Sequence, residues 1–73
     1  MATLSERLKS LRKEKHLTQV QVAEILNQTP RAYQYCEAGT SIPEFARLVT
    51  LADLYDVSMD YLIGRSETRE RQP

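Results

Sequence analysis

Leu4, Leu8 and Leu11 recur at i, i+4 and i+7, a single apolar stripe that predicts a helix over Leu4–Lys15, with Thr3 or Ser5 at its start. A second short helix is expected from Thr18 to about Leu26. Val22 and Leu26 form its inward i,i+4 pair, and Ala23 offers a small side chain where two helices cross. Val20 falls on the polar side with Glu24, where a thymine methyl, a partner or solvent would meet it. Asn27 tolerates the left-handed backbone that a tight turn needs.

Thr29 and Pro30 then read as the N-cap and first position of a third helix, which runs to about Glu37 and stops at Gly39. At about 100° per residue, Arg31, Gln34 and Tyr35 share one face, and Ala32, Tyr33 and Cys36 the other. After Pro43 a fourth helix is predicted from Glu44 to Tyr55, with Phe45, Leu48, Val49, Leu51, Ala52 and Tyr55 on its apolar side. Ser58 caps a fifth, Met59–Ile63, and Gly64 ends it. The pattern therefore predicts an all-α, compact five-helix bundle over residues 1–64, followed by a polar, flexible tail over 65–73. The second and third helices, joined by a short turn, form a helix-turn-helix unit.

The chemistry concentrates on the third helix. An arginine grips guanine bidentately and a glutamine grips adenine, although the same residues also make an ordinary solvated face.

Residues 4–64 resemble the lambda-repressor-like, Cro/repressor-type (xenobiotic-response-element) helix-turn-helix family. The matching pieces are ERLKSLRKEKHLTQ, VAEIL, the turn, YCEAG, Pro43 and LADLYDVSMDYLIG, in unbroken spacing. The resemblance implies an ion pair between Arg12 and Glu37 that ties the first helix to the third. It implies that Gln19 touches the DNA backbone or a base edge beside it, and that Thr40 and Ser41 hold a phosphate. The chain departs from the pattern at His16 and Asp56, where glycine is usual, and at Gln28 and Cys36, where larger or apolar side chains are common. Pro30 replaces a side chain that often contacts DNA.

Charge changes this picture little. Ten basic residues balance ten acidic ones, so composition alone announces no nucleic-acid partner. The distribution is uneven: residues 1–16 carry five basic against two acidic groups (net +3), residues 17–64 two against six (net −4). One cysteine excludes an internal disulfide and suits a reducing cytoplasm, where the protein is expected to act. Cys36 reads as a core residue, with a redox role the competing reading. No apolar run approaches a membrane span, and the N-terminus is no signal peptide. One histidine and one cysteine make no metal site, and no catalytic constellation or cofactor loop is recognisable.

The resulting expectation is a transcriptional regulator, a repressor by preference, that binds double-stranded DNA as a homodimer on an inverted repeat. Pro30, Arg31, Gln34 and Tyr35 are the candidate base readers. Thr18, Gln19, Thr40 and Ser41 are the candidate backbone contacts. Met59, Tyr61, Leu62 and Ile63 are too many apolar groups for one short helix to bury, so they are candidates for the dimer interface. The competing reading is a protein-interaction module of antitoxin type, or a regulator held by a protein partner. With no second domain in this stretch to sense a ligand, a signal is expected from a partner, from proteolysis or from protein level.

Overall fold

A computed structural model describes residues 2–71, and in it the five expected helices form. They are α1 (Leu4–Glu14), α2 (Gln19–Ile25), α3 (Pro30–Ala38), α4 (Phe45–Tyr55) and α5 (Met59–Leu62). Each bound lies within one or two residues of the sequence reading, the usual uncertainty at frayed ends.

Local chemistry explains the helix starts. The Thr3 hydroxyl accepts from the Glu6 amide, while Glu6 accepts from the Thr3 amide at 3.0 Å. Thr18 and Gln21 repeat this reciprocal box on α2. Thr29 accepts from Ala32 N–H at 3.1 Å and Ser58 from Tyr61 N–H at 3.0 Å. α4 is the exception: its N-cap, Glu44, makes no side-chain cap and instead pairs with Arg47 at 2.9 Å. His16, Asn27, Asp56, Gly39 and Gly64 all take positive φ, so each connection turns on a left-handed residue. Gly64 is also forced by space, because a Cβ there would stand 2.5 Å from the Ala2 carbonyl oxygen.

Leu8, Leu11, Val22, Leu26, Tyr33, Leu51, Val57 and Leu62 fill the core to which all five helices contribute. Each fully buried leucine contributes roughly 1.5–3 kcal/mol. Two expectations are corrected here. Phe45 and Val49 do not pack inward but stand exposed; the inward side of α4 is carried by Leu48, Leu51, Ala52 and Tyr55 instead. Leu62, expected at a dimer surface, is wholly buried within its own chain.

The segment after Gly64 also differs from the sequence reading. Residues 65–71 lie back across the bundle instead of extending into solvent; residues 72 and 73 of the expected tail fall outside the described residues. Ser58 N–H donates to the Arg69 carbonyl at 2.8 Å, and the Ser58 hydroxyl to the Thr68 carbonyl at 3.2 Å. Arg69 forks onto Glu14 at 2.7 and 2.9 Å, and Arg71 pairs with Asp53. Composition marked this stretch as solvated because it holds no large apolar side chain; its anchors are backbone groups and long-range ion pairs, which leave no local periodicity.

Candidate nucleic-acid interface

The site rests on how α3 is held. Its inner face buries Tyr33, Cys36 and Glu37, and its outer face exposes Arg31, Gln34 and Tyr35, with Pro30 exposed at the first position. The structure therefore brings all four candidate base readers to one free surface.

Behind them sits a buried ion pair. Arg12 Nε donates to Glu37 Oε2 at 2.7 Å and Arg12 Nη2 to Glu37 Oε1 at 3.1 Å, with the glutamate side chain 2% exposed. Arg12 Nη1 also donates to the Leu17 carbonyl at 3.0 Å, so one guanidinium links α1, the approach to α2, and the end of α3. Burial pushes the Glu37 carboxyl up, but the hydrogen bonds from Arg12 and Gln19 outweigh it and hold the group below the usual carboxylate range. Tyr33 and Tyr55 bury their hydroxyls without a hydrogen bond of normal geometry. Burial pushes the Tyr33 phenol up and the Tyr55 phenol up to about 12, so both are neutral at physiological pH.

The backbone candidates have prior engagements. Thr18 is the cap of α2, and its hydroxyl already accepts from Gln21 N–H. Gln19 donates from Nε2 to Glu37 Oε1 at 3.1 Å. The Thr40 and Ser41 amides both donate to the Tyr35 carbonyl, at 3.1 and 3.2 Å, as does the Thr40 hydroxyl at 3.2 Å. Those amides are therefore not an open anion cradle; the end of α3 consumes them, since its last carbonyls need donors.

Sequence reasoning missed two arginines. Arg7, counted only as part of the basic N-terminus, is 5% exposed. Its guanidinium donates to the Tyr61 and Ser66 carbonyls at 2.7 and 2.9 Å and lies 3.7 Å from the Tyr61 ring centroid. Arg69 covers the same ring at 5.2 Å, so Tyr61, another dimer candidate, packs within the chain while staying partly exposed. The place of Arg7 one position before the core residue Leu8 was the available signal. Arg47 turns inward as well, donating to the Leu26 carbonyl at 3.0 Å and the Asn27 carbonyl at 3.3 Å, where it closes the end of α2. Gln28, in the turn, leaves its amide oxygen buried and unpaired. Cys36 is buried, and burial pushes its thiol up, away from the reactive thiolate.

The helix-turn-helix family model matches residues 8–62, which contain all of this geometry except its flanking anchors. The chain belongs to that family. The lambda-repressor-like type expected from the sequence is the type shown.

Among curated relatives, the chain is 40% identical over 67 residues to the uncharacterized HTH-type transcriptional regulator YqaE of Bacillus subtilis, covering 92% of this chain and 57% of that one. It is 36% identical over 69 residues to the cryptic phage CTXphi transcriptional repressor RstR of Vibrio cholerae, covering 94% and 62%. The crystal structure of a transcriptional regulator from Listeria innocua superposes with a TM-score of 0.84 at 34% identity, over 89% of this chain and 61% of that one. The chain thus spans less than two thirds of the length of each. No helix among the described residues is long and apolar enough to cross a membrane.

Proposed function

We propose that this chain is a sequence-specific, double-stranded DNA-binding transcriptional regulator of the repressor type, acting in the cytoplasm. The observation that carries the reading is the two-sidedness of α3. Its inner face is locked by Tyr33, Cys36 and Glu37, while Arg31, Gln34 and Tyr35 stand free on its outer face. A helix about 10–12 Å across with its side chains fits the major groove. Arg31, Gln34 and Tyr35 read base edges there, and Pro30 approaches the groove floor. Thr18, Gln19 and the Ser41 hydroxyl position the backbone, with Thr40 beside them. Residues 1–64 are the DNA-binding unit, and residues 65–71 are tied to it through Ser58, Glu14 and Asp53.

The protein binds as a homodimer on an inverted repeat, with half-sites about 34 Å apart. Of the four dimer candidates, Leu62 alone is fully buried. Met59 and Ile63 remain partly accessible, but Ile42 and Phe45, 79% and 73% exposed, are the larger apolar surface. Ile42 and Ile63 line one open apolar groove of about 320 Å³. That exposed surface also favours a second reading, a module held by another protein.

Selection of bound fragments from random duplex DNA, followed by sizing of the complex, separates the two. A palindromic site, a steep salt dependence and two chains per duplex are expected. A shallow salt dependence with no site preference would select the protein-interaction reading instead.

A further inference from the structure

We propose that Glu37 is a positioning residue for Gln19, fixing which end of its amide faces the DNA; this rests on the DNA-binding reading above. Gln19 is the first residue of α2, at the edge of the surface that α3 presents. Its Nε2 donates to Glu37 Oε1 at 3.1 Å. A carboxylate only accepts hydrogen bonds, and both Glu37 oxygens are already drawn onto Arg12 at 2.7 and 3.1 Å. Flipping the Gln19 amide would set its carbonyl oxygen against that carboxylate, so only one orientation is compatible.

Arg12 reinforces the lock, because it also holds the Leu17 carbonyl two residues before Gln19. The other glutamine on this turn, Gln21, is committed to the cap through its amide oxygen on Thr18 N–H at 2.8 Å. Gln19 therefore reaches the DNA with one N–H and one carbonyl oxygen free, in a fixed order. The N–H serves a phosphate oxygen, and the order is set before binding, so less side-chain freedom is lost on contact. The carboxylate that orients α3 thus also orients a contact on α2, and the two helices meet the duplex in one register.

The test is a double-mutant cycle on DNA affinity, using the duplex selected by the wild-type chain, with thermal melting run alongside. Gln19→Met keeps the length and removes the amide; a loss of about fivefold is expected, the scale of one neutral hydrogen bond. Glu37→Gln should weaken binding in the wild-type background and add clearly less in the Gln19→Met background. Its effect on melting, which runs mainly through Arg12, should differ between the two backgrounds by no more than the lost Gln19–Glu37 hydrogen bond.

If Glu37→Gln does not fold, Glu37→Asp keeps the negative charge but shortens its reach to both Arg12 and Gln19, and the same coupling on DNA affinity is expected. Equal losses with and without Gln19 would overturn the proposal, as would a Gln19→Met variant that binds like wild type. Wild-type protein that selects no duplex at all would overturn the DNA reading itself, and this role with it.

Discussion

Arg7 is a cation taken almost wholly out of water, and what makes that tolerable is its partners. Two backbone carbonyls, the Glu67 carboxylate and the face of Tyr61 surround the guanidinium. Hydrogen bonds from a charged donor contribute about 1.5–3 kcal/mol each, and an acceptor left unpaired in the interior costs on the same scale. Arg7→Met, which keeps most of the stem, should therefore lower unfolding free energy by roughly 2–4 kcal/mol in urea melts, whereas a surface arginine would change it by under about 0.5 kcal/mol. Arg31 is the opposite case, exposed and without a hydrogen-bond or ion-pair partner among the described residues. Arg31→Ala should leave melting unchanged, cost about 1–3 kcal/mol at one base pair and relax preference there, as read by titration against singly substituted duplexes. Wild-type affinity for every duplex would show that α3 does not read sequence.

At the scale of elements, the join between α1 and α3 decides how the outer face is presented. Breaking it by Glu37→Ala strands a buried guanidinium and should cost about 3–5 kcal/mol. The same join makes stability depend on pH. Glu37 titrates lower in the folded chain than its usual 4.5, so its contribution is complete above that pH and is lost as pH falls through the folded value. Glu6 and Glu14 are depressed too, by Thr3 and Arg69 respectively, so total stability declines in acid for several reasons. The Glu37→Gln variant isolates one of them: its melting temperature should fall less steeply than wild type below about pH 4.5. The end of α1 supplies a different case. His16 sits at φ 57, a conformation that strains residues carrying a Cβ. His16→Gly should stabilise by about 0.5–1 kcal/mol, visible as a raised melting temperature.

For the whole molecule, zero net charge hides a division of labour. Two of the three arginines of the last segment, Arg69 and Arg71, are spent on Glu14, Asp53 and Asp56, which masks part of the acidic charge. Lys9, Lys13 and Lys15 remain exposed on α1. DNA affinity should therefore fall linearly with the logarithm of salt concentration, with a slope well above what the net charge implies. Folding stability should barely move with salt, because exposed pairs such as Arg69–Glu14 contribute only about 0–1 kcal/mol. A truncation after Gly64 separates the two: it should lower the melting temperature, since Ser58 and Arg7 lose backbone partners, and leave sequence preference intact.

What the sequence determined by itself was local. Caps at Thr3, Thr18, Thr29 and Ser58, left-handed stops at Asn27, Gly39 and Asp56, and the leucine stripe of α1 are each written within a few neighbouring residues, because one turn of helix decides them. The split of α3 into Arg31, Gln34 and Tyr35 against Tyr33 and Cys36 follows from helical angle alone. Only the tertiary structure decided which polar groups were already engaged. Whether Arg47, Gln19, Thr40 or Tyr61 is free for a ligand depends on carbonyls, carboxylates and guanidiniums up to 54 positions away in the chain. Such contacts satisfy valence, not periodicity, and so leave no trace in the hydrophobic pattern.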